Sequence, residues 1–158
     1  MNIAILTVSD RCSKGERPDL SGPALMALCR AKLGASRVEY ALVSDGIEPV
    51  REGILRFAGS VDLVLTTGGT GLAPRDFTPE ATAQILERRH PALLELARRR
   101  CYDITPKTYL SRGEAGAIGK TLVINLPGSP KGSCEMLEAL LDILPHAVET
   151  LRGEVKDG

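Results

Sequence analysis

The chain has 158 residues, of which 43% are hydrophobic and 25% charged, and its formal net charge is zero. This size is typical of one globular domain, so we expect a single domain that spans residues 1–158. The neutral charge and an aromatic content of 3% argue against nucleic acid as a partner, and no apolar stretch is long enough to span a membrane.

Short apolar runs alternate with stretches of helical periodicity along the chain. Continuous apolar runs are typical of strands covered on both faces, and apolar residues on one helical stripe indicate helices. In chain order these patterns predict a strand at Ile3–Val8, a helix at Pro23–Leu33, a strand at Val38–Val43, a helix at Pro49–Ala58, a strand at Val61–Thr67, a helix at Pro91–Cys101, a strand at Thr121–Leu126 and a helix at Ser133–Leu144. A further helix is expected to begin at Pro79 and Glu80, with Thr78 as its N-terminal cap.

The alternation predicts an α/β fold in which a mainly parallel sheet has helices on both faces. One segment, Lys107–Lys120, follows no clear pattern and is expected to be a long irregular loop, of the kind that is often functional. Its end, Gly113–Thr121, is similar to a Walker A loop, but the glycine spacing differs and a strand is predicted to follow. We therefore expect Lys120 to lie near the cleft without acting as a Walker lysine.

Small and polar residues follow each predicted strand. Ser9 and Asp10 follow the first strand, Ser44–Gly46 the second, Thr67–Gly71 the third and Pro127–Lys131 the fourth. The carboxyl ends of parallel strands lie along one edge of a sheet, and open α/β sheets bind their ligands at that edge. The four loops are therefore predicted to form one binding site.

The strongest single feature is the glycine-rich loop formed by Gly68, Gly69, Thr70 and Gly71. Glycine permits positive φ and lets a ligand approach the backbone closely, and successive N–H groups form a nest that binds anions such as phosphate. A tight structural turn is the alternative interpretation, although a turn requires fewer glycines.

Two aspartates are candidate ligands for Mg²⁺ at the same edge. Asp45 follows the second strand, and Asp76 lies shortly after the glycine-rich loop. Mg²⁺ is usually held by one or two carboxylates together with phosphate oxygens and water. For Asp76, a surface ion pair with Arg75 is the alternative. The pair beside a phosphate nest favours a magnesium-dependent site for a nucleotide or a phosphorylated cofactor.

The cysteines and the N-terminus bear on the cellular compartment. Cys12, Cys29, Cys101 and Cys134 form no Cys-x-x-Cys pair and have no histidine nearby, so free thiols are expected. The N-terminal segment lacks the basic stretch and the long apolar run of a signal peptide. These features predict a cytoplasmic protein.

Several motifs, in this order, resemble the molybdenum cofactor biosynthesis family. They are ILTVSD near the N-terminus, TTGGTG followed by PRD and TPEAT, LSR at Leu110–Arg112, and INLPGSPKG at Ile124–Gly132. The family includes the bacterial Mog-type molybdopterin adenylyltransferases and the G domains of gephyrin. The resemblance covers nearly the whole chain and implies a three-layer α/β/α fold.

The resemblance also implies an activity, namely transfer of AMP from Mg²⁺-bound ATP to the phosphate of molybdopterin with release of pyrophosphate. It implies a homotrimer, and a hand-over of the product to a metal-insertion protein. A non-catalytic molybdopterin carrier is the alternative, against which the two retained carboxylates argue.

By the same resemblance, the essential acids are Asp45 and Asp76, and the functional serine is Ser111. The residues implied to bind phosphate groups of the nucleotide or of molybdopterin are Gly68, Gly69, Thr70, Gly71, Pro127 and Gly128, and Ser9 and Asp10 join them at the predicted sheet edge.

Overall fold

The computed structural model describes residues 1–155, so residues 156–158 of the predicted domain lie outside the described part. The strands are β1 (Asn2–Val8), β2 (Arg37–Val43), β3 (Leu63–Thr67), β4 (Arg88–Arg89), β5 (Ala115–Ile118) and β6 (Thr121–Leu126). They form one sheet in the order β2-β1-β3-β6-β5-β4. Strands β2, β1, β3 and β6 are parallel, whereas β5 runs antiparallel to both β6 and β4.

Helices cover both faces of this sheet. They are α1 (Asp10–Ser13), α2 (Ser21–Lys32), α3 (Ile47–Phe57), α4 (Thr78–Ala83), α5 (Ala92–Cys101), a 3-10 helix (Pro106–Leu110), α6 (Pro130–Glu138) and α7 (Leu144–Arg152). Helices α2, α5, α6 and α7 bury apolar residues in the larger core, and α3 and α4 do so in the smaller core on the other face. The predicted three-layer α/β/α fold is therefore confirmed. Within residues 1–155, no helix combines the length and apolar character that crossing a bilayer requires.

Strand β1 shows why continuous apolar runs indicate a doubly covered sheet. Ile3 and Ile5 point into the larger core, and Ala4 and Leu6 point into the smaller one. Because successive side chains of a strand point to opposite faces, every position of β1 needs an apolar residue once helices cover both faces. Strands β3 and β6 are buried at every position, whereas β2, at the edge of the sheet, has no buried residue. All four parallel strands were predicted.

The antiparallel edge was not predicted. The segment Lys107–Lys120, expected to be irregular, contains the 3-10 helix and strand β5. Strand β5 is short, and its Gly116 is required because a Cβ at that position would overlap the carbonyl oxygen of Arg88 on β4. A two-residue strand and a four-residue strand with a central glycine carry too little pattern to be predicted.

The predicted helix at Ser133–Leu144 is correct only as far as Glu138, where α6 ends, and a new helix, α7, begins at Leu144. Pro145 lies in the first turn of α7, where its missing N–H leaves no hydrogen bond unmade. The apolar spacing continues across the break because Leu140 is buried in the same core as both helices.

Candidate functional site

The carboxyl ends of the four parallel strands lie side by side. The register pairs Val8 of β1 with Val43 of β2, Thr7 of β1 with Thr67 of β3, and Thr67 with Leu126 of β6. The four polar loops that follow these strands therefore leave the sheet along one edge, as predicted.

The glycine-rich loop requires glycine at its first two positions. Gly68 has φ of 104° and Gly69 has φ of 65°, both in the region that favours glycine. A Cβ on Gly68 would overlap the carbonyl oxygen of Val8, and one on Gly69 would overlap the hydroxyl of Thr78. The backbone is thus packed against β1 on one side and against α4 on the other.

This loop presents unpaired backbone donors. The N–H of Gly68 donates to the carbonyl of Leu126, at 3.3 Å. Among the residues that the structure describes, the N–H groups of Gly69, Thr70 and Gly71 have no hydrogen-bond acceptor. Three successive unpaired donors suit an anion, and this geometry favours the nest over a tight structural turn.

Thr78 has a role different from the predicted one. Helix α4 begins at Thr78 itself, and the hydroxyl does not cap the helix. It instead donates to the carbonyl of Gly68 at 2.9 Å, while the Thr78 N–H donates to the carbonyl of Gly69 at 3.0 Å. Thr78 therefore fixes the direction of both carbonyl groups and, with them, of the N–H groups that follow.

Asp45 is fixed by a reciprocal contact with Asp10. Oδ2 of Asp45 accepts from the N–H of Asp10 at 2.9 Å, and Oδ1 of Asp10 accepts from the N–H of Asp45 at 3.0 Å. Oδ1 of Asp45 faces the glycine-rich loop, 3.4 Å from where a Cβ of Gly69 would lie. Asp10 itself lines only a side cavity of about 160 Å³, so it supports Asp45 rather than the main cleft.

Asp76 approaches the same loop from the other side. Its Oδ2 accepts from the N–H of Ala73 at 3.1 Å and lies 2.9 Å from where a Cβ of Gly71 would stand. Within residues 1–155, Asp76 forms no ion pair with Arg75. Its carboxylate is thus held by a backbone N–H, and no cationic side chain of the described residues pairs with it.

Two cavities of about 560 Å³ each meet at this loop. Both are lined by Gly69, Asp76, Gly128 and Ser129, which form a shared wall. The first cavity is lined in addition by Ser9, Arg17, Asp19, Ser21, Asp45, Gly68 and Arg75. The second is lined in addition by Thr70, Gly71, Ile104, Lys107, Ser111, Pro127 and Lys131. The cleft therefore offers two compartments, each with cationic side chains.

Ser111 lies in the second cavity, beside the glycine-rich loop. Its hydroxyl donates to Oγ1 of Thr70 at 3.3 Å and accepts from the N–H of Gly113 at 3.4 Å. Arg98 donates to the Ser111 carbonyl at 2.9 Å, and burial lowers the pKa of this arginine. The hydroxyl is thus directed at the loop by groups on both sides.

The loop after β6 forms the remaining wall. Thr67 donates to the carbonyl of Pro127, and Ser21 donates to the carbonyl of Gly128, both at 2.7 Å. A Cβ on Gly128 would lie 3.1 Å from Cα of Gly68, so the two backbones touch. Helix α6 follows, and its N-terminus, capped by Ser129, borders both cavities and favours an anion there.

The comparisons with known proteins decide the family. Residues 4–146 match the family model described as a probable molybdopterin binding domain. The chain belongs to this molybdopterin-binding family. It is 39% identical over 156 residues to the molybdopterin adenylyltransferase of Helicobacter pylori, covering 97% of this chain and 89% of the relative.

Two further members of the family are similar over nearly the whole chain. Gephyrin of Dictyostelium discoideum is 38% identical and covers 98% of this chain, which corresponds to 23% of that longer protein. The crystal structure of the molybdopterin biosynthesis enzyme MoaB from Thermus thermophilus has a TM-score of 0.90 and 45% identity, and it covers 96% of each chain.

Asp19 is among the members of the first cavity of this molybdopterin-binding domain that sequence reasoning missed. Its Oδ2 accepts from the hydroxyls of Thr7 and Tyr40 at 2.7 Å, and its Oδ1 accepts from the N–H groups of Ser21 and Gly22. Partial burial, followed by the hydrogen bond to Asp19, raises the pKa of Tyr40 to about 12. The sequence carried no signal for these contacts, because the helix was predicted to begin only at Pro23 whereas α2 begins at Ser21.

The expectation that Lys120 lies near the cleft is wrong. Lys120 precedes β6, so it lies at the amino end of the parallel strands, and its Nζ donates to the carbonyl of Arg152 at 3.1 Å. The parallel strands present the candidate site at their carboxyl ends, on the opposite edge of the sheet.

Proposed function

We propose that this protein is a molybdopterin adenylyltransferase, which transfers AMP from ATP to the phosphate of molybdopterin and releases pyrophosphate. The observation that carries the proposal is the placement of Asp45 and Asp76 on either side of a loop with three unpaired N–H groups. Membership of the molybdopterin-binding family and the names of its similar relatives supply the substrate.

In this reaction a phosphate oxygen of molybdopterin forms a bond to the α-phosphorus of ATP. The bond from that phosphorus to the oxygen bridging to the β-phosphate breaks, and pyrophosphate leaves with the electron pair. The nucleophile is already an anion, so no strong base is required. The work of the protein is to position two anionic substrates and to stabilise the charge that shifts onto pyrophosphate.

The residues present fit a Mg²⁺ ion that arrives with ATP. Oδ1 of Asp45 and Oδ1 of Asp76 accept no hydrogen bond from the described residues. No group of three or more His, Cys, Asp or Glu within residues 1–155 forms a metal cage. Two carboxylates completed by phosphate oxygens and water are a usual magnesium environment, and the bound ion would neutralise charge on the triphosphate.

Six further predicted residues have a proposed role in this reaction. The N–H groups of Gly69, Thr70 and Gly71 bind phosphate oxygens, and Ser111 orients the reacting phosphate from the second cavity. Pro127 and Gly128, in the loop after β6, keep the two substrates in line. Two cavities that share one wall provide the separate places that two substrates require.

The test is incubation of the purified protein with ATP, Mg²⁺ and molybdopterin, with measurement of pyrophosphate and of adenylylated molybdopterin. We expect the two products in equal amounts, and none when EDTA removes the metal ion. A protein that binds molybdopterin but releases no pyrophosphate is a carrier, and that result overturns the proposal.

We further propose a cytoplasmic homotrimer that passes its product to a metal-insertion protein. The family resemblance supports the trimer, and the free state of all four cysteines within the described residues fits a reducing compartment. Light scattering should give three times the chain mass of 16.9 kDa. A single mass of 16.9 kDa across micromolar concentrations rejects the trimer.

A further inference from the structure

Arg112 joins the glycine-rich loop to the segment that carries Asp76. Its Nε donates to the carbonyl of Gly71 at 2.8 Å, and its Nη2 donates to the carbonyl of Asp76 at 2.8 Å. Its Nη1 forms an ion pair with Glu80 in the first turn of α4. Its backbone N–H donates to the carbonyl of Thr70 at 2.8 Å. Arg112 therefore holds both ends of the segment that joins the glycine-rich loop to Asp76.

The segment between those ends is otherwise weakly held. Residues 72–75 are exposed, and 72% of the surface of Leu72 is accessible. The hydrogen bonds within it are local, from the Asp76 N–H to the Ala73 carbonyl at 2.9 Å and from the Ala73 N–H to the Asp76 carboxylate. These local bonds shape the turn but do not fix its place relative to the sheet, so that task falls to the Arg112 guanidinium.

We propose that Arg112 is a positioning residue, whose guanidinium sets the place of the Asp76 carboxylate against the glycine-rich loop. The effect on catalysis rests on the proposed adenylyl transfer, in which Asp76 acts from the wall shared by the two cavities. Arg112 itself lines neither cavity, so it acts through Asp76 rather than on the substrates.

Only an arginine can make these contacts together. Its planar guanidinium has five donors in a fixed fork, and three nitrogens of Arg112 reach three different acceptors. A lysine keeps the positive charge on one nitrogen, which cannot replace both carbonyl contacts and the ion pair. A charge-only role and a positioning role therefore predict different results for Arg112→Lys.

Glu80 orients the guanidinium through its ion pair with Nη1 of Arg112. The hydrogen bond from Arg112 lowers the pKa of Glu80, so the carboxylate stays charged at neutral pH. Glu80→Gln keeps the shape and leaves both carbonyl contacts of Arg112 in place. We expect it to lower turnover less than a change at Arg112 does.

The test compares Arg112→Met, Arg112→Lys and Glu80→Gln with a matched control, Arg89→Met. Arg89 pairs with Glu114 at the antiparallel edge and lines neither shared cavity. The measurements are hydrogen exchange of the two hydrogen-bonded amides of the segment, those of Ala73 and Asp76, Tm, and kcat and KM for pyrophosphate release as a function of Mg²⁺ concentration.

We expect Arg112→Met to speed exchange of the Ala73 and Asp76 amides selectively and to lower kcat about 10- to 100-fold, the range seen when the groups supporting metal ligands are removed. KM for both substrates should stay within about threefold, and half-maximal rate should require more Mg²⁺, because the loss acts on the acid rather than on substrate binding. Arg112→Lys should restore little of this loss, and Arg89→Met should behave as the wild type does.

Three results overturn the inference. They are unchanged exchange and kcat in Arg112→Met, full rescue by Arg112→Lys, and a loss of kcat matched by faster exchange throughout the chain. If Arg112→Met does not fold, Arg112→Lys, which keeps the charge beside Glu80, decides between the charge-only role and the positioning role. A wild-type protein that releases no pyrophosphate rejects the proposed function, whereas the exchange measurement still tests the positioning by Arg112.

Discussion

The carboxyl ends of the parallel strands form one edge of the sheet and their amino ends form the opposite edge, and these two edges are built in opposite ways. At the carboxyl edge, three backbone N–H groups and two carboxylate oxygens have no partner within residues 1–155. At the amino edge the polar groups are paired, since Asp62 accepts from Arg152 at 2.9 Å and from the Asn2 N–H at 2.6 Å, and Thr121 donates to Val61 at 2.7 Å. Unpaired polar groups are a cost to the folded state where neither water nor a ligand binds them. The amino edge therefore supplies stability, and the carboxyl edge keeps its donors and acceptors for ligands.

Neutralising the acids of the carboxyl edge should have the largest effect. Asp45→Asn and Asp76→Asn keep the shape of each side chain and remove its charge. Pyrophosphate release should fall about 100-fold or more, the scale of one lost electrostatic contact to a transition state. Molybdopterin is an anion and loses no attractive partner, so its binding should survive.

Turnover and molybdopterin binding are measured on the same preparations. Unchanged turnover in both variants makes the aspartates structural. A collapse of molybdopterin binding instead means that the acids organise the pocket.

A pair of glycine variants compares backbone strain at the two edges. Gly69→Val places a side chain at φ of 65° and against the Thr78 hydroxyl, whereas Gly119→Val has φ of 55° and meets no atom within 4 Å of its Cβ. Both should lose about 1–2 kcal/mol of stability from strain, and Gly69→Val should lose more because its Cβ overlaps the Thr78 hydroxyl. Only Gly69→Val should also weaken molybdopterin binding, by about tenfold or more, which corresponds to one charge-assisted hydrogen bond.

Calorimetry on both glycine variants separates the two effects. Equal losses of binding in the two variants would show that strain alone is responsible and that the nest has no part in binding.

The amino edge should respond in stability and not in turnover. Asp62→Ala leaves Nε of Arg152 and the N–H of Asn2 without their acceptor, while Nη1 of Arg152 keeps its ion pair with Glu154. We expect a loss of about 1.5–3 kcal/mol in the free energy of unfolding, as for hydrogen bonds to charged groups, with kcat unchanged. Urea unfolding and steady-state rates on one preparation check this. A fall in kcat in a fully folded Asp62→Ala variant contradicts the assignment of stability to the amino edge and of turnover to the carboxyl edge.

The same carboxylate gives the amino edge a pH dependence. Burial by itself raises the pKa of Asp62, but the hydrogen bonds from Arg152 and Asn2 outweigh it, and the net pKa is lowered. A lowered pKa gives stability that is present above the unfolded value of about 4 and is lost as the pH falls through the folded value. The difference between wild type and Asp62→Ala should therefore shrink below about pH 4, and a constant difference there rejects this cause.

Lys120→Ala should have the smallest effect. Lys120 lies at the amino edge and donates only to a backbone carbonyl at the surface, so stability should change by less than about 0.5 kcal/mol. ATP affinity, measured by calorimetry, should be unchanged. Loss of ATP binding in a folded variant would assign Lys120 a Walker-type role after all.

The parallel core and the site loops could be predicted because each leaves a local signal. Continuous apolar runs indicated β1, β3 and β6, a weaker run indicated β2, and small polar residues after each run indicated the binding edge. Short elements such as β4 leave no such signal, and the order β2-β1-β3-β6 depends on packing between distant segments.

The contacts of Arg112 could not be predicted for a related reason. Two of its acceptors are the carbonyls of Gly71 and Asp76, and every residue type has such an acceptor. The candidate acids Asp45 and Asp76 were identifiable from residue type and position, whereas the group that holds one of them was not.

The close contact between Gly68 and Gly128 has a consequence for motion during binding. The loops after β3 and β6 touch through their backbones and are also joined by the hydrogen bond from Gly68 to Leu126. We therefore expect the floor of the cleft, formed by these two loops, to move as one rigid body and to be already formed when a ligand arrives. Any closure over a bound substrate must then come from the exposed segments around the cleft. These segments include Leu20 and Leu72, which are exposed by 64% and 72%. Fluorescent probes placed at these two leucines should report that closure, while probes on the floor should stay silent.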